Sequence, residues 1–143
     1  MTLMRIFILC LLPFVMTSCA KKTLPLAVAE VGRLARLPIP LTAANLQYGT
    51  EDGRDHLIYG RFDLPASDLN AFLGQLSKTA TIAPYSGYSN VTAHSMAEPW
   101  WNPASLRSPK TAEWSEPGFY GNLLMGTADT SEVVTVYFFN FTT

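Results

Sequence analysis

Apolar and polar positions along the chain change period several times, and each change predicts an element. Residues 6–15 are apolar throughout. Leu24, Val28, Val31 and Ala35 then recur at helical spacing, which predicts a helix over 24–36 with Thr23 as cap and Pro25 in its first turn. Pro38 and Pro40 end it and force an extended passage over 37–41. Alternation takes over next. Residues 45–50 and 56–64 read as a hairpin around Glu51-Asp52-Gly53-Arg54-Asp55, because Asp-Gly supplies the positive φ of a tight reversal. On the second strand Ile58, Gly60, Phe62 and Leu64 share one side; Leu57, Tyr59, Arg61 and Asp63 share the other. The first side is the expected core face, and Gly60 leaves room on it for a helix. Pro65 and Ser67 open that helix. Its Leu69, Phe72, Leu73 and Leu76 keep the i, i+3, i+4, i+7 spacing of a buried stripe, and Asp68 suits the dipole at its start.

Periodicity fades over 82–96, where Tyr85 and Tyr88 stand among Ser, Gly and Asn, and residues 91–93 predict a brief strand. Residues 97–115 read as irregular, with three prolines and Trp100, Trp101 and Trp114. Unstructured loops longer than about 12–15 residues are uncommon in small domains and often functional. A second hairpin closes the chain, 119–127 and 132–141 around Ala128-Asp129-Thr130-Ser131. Residues 133–141 are apolar on both sides save Thr135 and Asn140, as in a central strand covered on both faces. If one side is bare, Tyr137, Phe139 and Phe141 form an exposed aromatic row. The expected fold class is α+β: a small antiparallel sheet of about four strands, made from two hairpins and packed on one main helix.

The N-terminal apolar run changes the picture. Residues 1–18 have the parts of an export signal: one cation (Arg5), an apolar core, and Met16-Thr17-Ser18 before Cys19. The core is far shorter than the roughly 20 residues of a membrane-crossing helix. Met16-Thr17-Ser18-Cys19 resembles a bacterial lipobox, a large apolar residue three before a cysteine. Met16 stands where Leu is usual, and Ser18 where Gly or Ala is commoner. The resemblance implies diacylglyceryl and acyl (palmitate-type) lipids on Cys19, cleavage before it, and a membrane as partner. Residues 19–23 then form a tether of under about 20 Å. Lys21 and Lys22 meet anionic headgroups there, or are simply solvated. Residues 24–143 form one domain. Ala20 follows the lipidated cysteine where Asp would signal inner-membrane retention. The expected location is therefore the cell envelope, with the outer membrane facing the periplasm favoured in a Gram-negative source.

Composition narrows the chemistry. All 11 acidic residues lie after Cys19, and only Arg5 of the 10 basic residues lies before it, so the mature charge is near −2. That disfavours nucleic acid as a partner. With Cys10 removed and Cys19 lipidated, no thiol remains for a disulfide, a zinc site or a nucleophile. His56 and His94 are the only histidines, and neither has a second ligand at helical or hairpin spacing. Neither a G-x-S-x-G elbow nor a glycine-rich phosphate loop is present. No cofactor, metal or catalytic residue is expected. The binding candidates are Trp100, Trp101, Tyr85 and Tyr88: flat rings that stack on a sugar or grip a protein, or alternatively a lid over the core.

Two phrases carry a second resemblance. Pro38-Ile39-Pro40 leads into Asn45-Leu46-Gln47-Tyr48, and Tyr59-Gly60-Arg61-Phe62-Asp63-Leu64-Pro65-Ala66-Ser67-Asp68-Leu69 follows. With the Trp100–Pro103 loop and the closing hairpin, residues 37–141 resemble small exported bacterial proteins of unassigned function. This implies no particular activity. The expectation is a lipid-anchored, non-catalytic module whose partner is an envelope protein or peptidoglycan. The alternatives are an inhibitor or immunity-type lipoprotein that blocks an enzyme and, third, a small hydrolase.

Overall fold

The computed structural model describes residues 24–143, with side chains from Ala27 onward. The expected export signal, the lipobox-like stretch with Cys19, the two lysines and Thr23 lie outside the described residues. Helix α1 (Leu24–Ala35) leads into strands β1 (Ala44–Asp52) and β2 (His56–Pro65). A 3₁₀ turn (Ala66–Asp68) runs directly into α2 (Leu69–Gly74). Then come β3 (Thr81–Pro84), α3 (Asn90–Ala93), a second 3₁₀ turn (Pro103–Ser105), β4 (Arg107–Glu116), β5 (Phe119–Thr127) and β6 (Val133–Thr142). The strands form one antiparallel sheet in the order β1-β2-β6-β5-β4-β3.

This corrects the expected architecture of about four strands on one main helix: the sheet has six strands, dominates the fold, and carries only small helices. The expected irregular stretch 97–115 contains most of β4. Its apolar alternation is thin because only Ala112 and Trp114 point into the core, and Ser108 (φ 47°) sits in an irregularity between Arg107 and Lys110. Pro117-Gly118 turns β4 into β5: Glu116 pairs with Phe119, and Gly118 adopts φ 70°, as Pro-Gly turns require. β3 escaped notice because it is four residues long, and its Pro84 is tolerated only on an edge strand. Val91 lies in α3 rather than in a strand. Ser89 starts that turn with a capping box, accepting from the Thr92 backbone while its own backbone N–H donates to the Thr92 hydroxyl.

The helix expected over 67–76 is a short one. Asp68 makes no side-chain cap; its carboxylate instead accepts from Thr42 Oγ1 at 2.8 Å. The stripe is present all the same, with Phe72 and Leu76 buried and Leu69 and Leu73 packed beside them. The longer helix is α1. It ends before Pro38: Arg36 takes φ 50°, and the Leu37 N–H reaches back to the Gly32 carbonyl at 2.9 Å. That left-handed closure satisfies a carbonyl otherwise orphaned at a helix C-terminus. Asn140 does the same for the Ala35 carbonyl, donating to it at 2.7 Å from the middle of the sheet.

β6 lies between β2 and β5, and its residues 134–140 are all buried, so most of its length is covered on both sides. Val134, Val136 and Phe138 face α1 and α2, together with Ile58, Phe62, Leu64, Leu123 and Met125. Each fully buried large apolar side chain contributes about 1.5–3 kcal/mol. Gly60 serves this face, though not by admitting a helix: a Cβ there would lie 2.4 Å from the Phe138 ring and 2.5 Å from the Gln47 carbonyl. The space belongs to neighbouring strands. The first hairpin also differs from expectation. Asp52 pairs with His56 across a loop of Gly53, Arg54 and Asp55, and Gly53 is not among the positive-φ glycines. No helix among the described residues is long and apolar enough to cross a membrane.

Candidate functional site

The face of the sheet opposite α1 and α2 carries the chemistry. Tyr59 and Arg61 on β2 point to it, as do Tyr137, Phe139 and Phe141 on β6 and Leu124 on β5. All share one side by strand alternation and cross-strand register. A long segment holding α3 and the tryptophans covers only part of it.

Trp101 closes the middle. It is 8% exposed, meets Tyr59 and Tyr137 edge-on at 5.6 and 5.3 Å, and donates from Nε1 to the His94 carbonyl at 3.1 Å. Trp100 is half-buried and lies offset over Tyr59, with centroids 6.0 Å apart and planes 21° from parallel. The two candidate indoles are thus brought together, the first facing outward and the second inward. Tyr85 packs at the edge of this cluster, its hydroxyl donating to Thr92 Oγ1 at 3.2 Å. Tyr88 is 68% exposed and outside the cluster. Tyr59 is the pivot of the group. Burial, and then the charges of Glu98 and Glu51, push its phenol above the usual 10.0. Gly49 makes room for it, since a Cβ at that position would lie 2.5 Å from the Tyr59 hydroxyl.

Beyond the tryptophans, toward the C-terminal end of β2, the same face is uncovered and forms a cleft of about 470 Å³. Its polar centre follows from register. Arg61 pairs with Tyr137 across the β2–β6 ladder, and Asp63 pairs with Thr135. The guanidinium lies over the Tyr137 ring at 5.6 Å. Its Nη2 donates to Asp63 Oδ1 at 3.0 Å, and Thr135 Oγ1 donates to the same oxygen at 2.7 Å. Asp63 Oδ2 accepts from Asn45 Nδ2 at 2.7 Å. Asn45 reaches it because β1 is irregular between Ala44 and Gln47, where Asn45 takes φ 53°. Asn is one of the few side chains that tolerate that conformation. The β5–β6 turn supplies Asp129 and Thr130 to the cleft. Arg61 and Asp63 are only 23% and 14% exposed.

The histidines lie elsewhere. His56 Nδ1 meets the Asp52 carboxylate beside the hairpin loop, in the open. His94 stacks on Phe139 at 4.4 Å, with Nδ1 2.9 Å from the Asn90 carbonyl, in a shallower cleft of about 310 Å³ lined also by Asp55, Leu57 and Phe141. Among the described residues no three of His, Cys, Asp and Glu gather at one point. A further polar group joins Glu113, Asn122 and Tyr120. Asn122 Nδ2 donates to Glu113 at 2.8 Å, and its carbonyl accepts from the Val91 N–H at 3.3 Å. It ties α3 to the sheet. Burial, then the Glu113 charge and hydrogen bond, raise the Tyr120 phenol above its usual value.

Sequence reasoning placed Arg61 and Asp63 on the outer side of β2 and assigned them no role. A hint was present in the strand itself: two opposite charges alternate in step with Tyr59, while Ile58, Gly60, Phe62 and Leu64 on the other side carry no polar side chain. Asn45 and Thr135 carried no such signal, since only the β1 irregularity and the β2–β6 register bring them to Asp63. No protein-family model matches the chain, and no curated protein or solved structure matches it.

Proposed function

We propose that this is a lipid-anchored cell-envelope protein whose domain acts by binding, without catalysis, and whose partner is an envelope protein or a wall polymer. The observation that carries the reading is Met16-Thr17-Ser18-Cys19 at the end of a short apolar run, with the helical spacing of Leu24, Val28, Val31 and Ala35 starting five residues later. A tether this short keeps the domain within about 20 Å of its anchor. Charge agrees with this role: the chain after Cys19 is slightly acidic and lacks the basic surplus of a nucleic-acid binder. The half-buried Trp100, laid over Tyr59, gives a sugar or a partner side chain a flat surface at low entropic cost.

The anchor is tested by labelling cells with a fatty-acid analogue. Cys19→Ala should abolish labelling and leave a full-length precursor; normal processing of this variant would overturn the reading. The wall-polymer arm is tested by co-sedimentation with purified peptidoglycan. Trp100→Ala is the informative change there, because Trp101 is a packing residue whose loss disturbs the domain itself. Unchanged sedimentation of Trp100→Ala would remove the platform from the proposal.

A further inference from the structure

We propose that the cleft at Arg61 binds a small zwitterion, an amino acid or short peptide, through its α-carboxylate. The argument turns on how hydrogen-bonding capacity is divided between Arg61 and Asp63. Asp63 accepts from Arg61, Thr135 and Asn45. A carboxylate offers about four lone-pair sites, so little of its capacity is left. The guanidinium has five N–H donors and spends one on Asp63. Its Nε is buried and meets no acceptor among the described residues. That Nε is sealed from the cleft, so what Arg61 offers a ligand is the remaining N–H donors of its two Nη groups, and the unmet demand at the cleft is for an acceptor. Asp63 is a positioning residue: with the Tyr137 ring beneath, it holds the guanidinium plane in place and keeps it inside the cleft.

Charge decides which acceptor. Arg61, Asp63 and Asp129 together carry a net negative charge, so a phosphate or sulfate dianion meets repulsion. A zwitterion does not: its carboxylate faces Arg61 while its ammonium faces Asp129, an exposed residue lining the same cleft. Size agrees, since about 470 Å³ lies at the low end of the roughly 300–1,000 Å³ typical of small-molecule sites. Pro65 and Val133 give a ligand side chain an apolar wall. The left-handed Asn45 is explained as well: backbone strain there is repaid by fixing Asp63, and strain of this kind collects at ligand sites.

Isothermal titration of the detergent-solubilised full-length protein with alanyl-alanine tests this. The dipeptide should bind with a Kd of about 1–10 mM, the range for an unoptimised ligand of its size. Its C-terminal amide should bind at least about 10-fold more weakly, having lost the charged hydrogen bonds to Arg61. N-acetylation should weaken binding only about 2- to 5-fold, because Asp129 is exposed to water. Arg61→Lys keeps the charge but loses the planar fork, and should cost about 10-fold. Thr130→Trp fills the mouth of the cleft from an exposed turn and should abolish binding without lowering Tm. No heat at roughly 20 mM dipeptide, an amide that binds as tightly as the acid, or unchanged binding by Thr130→Trp would each overturn the proposal. The inference does not rest on the anchor: Cys19→Ala should bind alanyl-alanine like the parent, so failure of either reading is visible separately.

Discussion

The two faces of the sheet are built from the same strands and differ in almost everything else. Toward α1 and α2 the side chains are Ile58, Phe62, Leu64, Leu123, Met125, Val136 and Phe138, all at most 2% exposed. The buried polar side chain among them is Asn140, and both ends of its amide are used, one by the Ala35 carbonyl and the other by the Asn122 N–H. The opposite face is aromatic, with Tyr59, Tyr137, Phe139 and Trp101, and it grades into the charged cleft at one end. Its cover is a loop segment with a single turn of helix. A face closed by apolar packing contributes stability. A face left partly open, with polar handles on its rings, has something to offer a partner. The strand period of two lets one stretch, residues 57–64, serve both purposes.

That contrast breaks most directly in the core. Phe138→Ala should cost about 3–5 kcal/mol by urea unfolding, since the ring is fully buried and Gly60 and Phe62 pack against it. Trp100→Ala, at the half-buried edge of the other face where truncation leaves no enclosed cavity, should cost about 1 kcal/mol or less. Equal losses would mean that the loop-covered face is as much a core as the helix-covered one.

The next effect concerns the cleft. Asn45→Ala loses the bond to Asp63 and forces alanine into a left-handed conformation, a combined cost of about 1–3 kcal/mol. Asn45→Gly removes only the bond and should recover roughly 1 kcal/mol of that. A glycine variant no more stable than the alanine variant would show that the bulge relaxes and that the strain is not held by the fold.

The smallest effect is alkaline. Tyr59 and Tyr120 both belong to the aromatic face, and burial is the leading cause that raises each phenol above 10.0. The folded chain then keeps protons that the unfolded chain releases. Stability from these groups is fully present below about pH 10 and falls as pH rises through their folded-state values. Absorbance titration near the phenolate band should show late-ionising tyrosines, one fewer in Tyr59→Phe. Stability that rises through this range would contradict the assignment.

Much of the fold was legible from local pattern. The strands of both hairpins, the stripe of Leu69, Phe72, Leu73 and Leu76, and the burial of most of β6 follow from apolar period, because neighbours in sequence impose them; the geometry of the first turn does not, since Gly53 lacks the positive φ that Asp-Gly suggests. β4 was less legible, since Pro109, Ser108 and Lys110 dilute its alternation; the Pro117-Gly118 turn was the signal that pairs it with β5. β3 had no signal of its own. A four-residue edge strand exists only because β4 is there to receive it.

The aromatic and polar sites divide in the same way. Composition and order in the chain are properties of the sequence alone: three tryptophans, two cysteines at positions 10 and 19, and a short apolar run ahead of Cys19. The sequence also determined that Arg61 and Asp63 share a side of one strand. The folded chain adds what no local pattern carries: Trp101 is buried while Trp100 lies half-buried over Tyr59, and Asn45 and Thr135, 90 positions apart, meet at one carboxylate. The physical reason is register. Period-two alternation assigns a side chain to a face, but which residues from distant strands stand opposite one another is set by the pairing of the whole sheet, and a shift of one residue would dissolve the cleft.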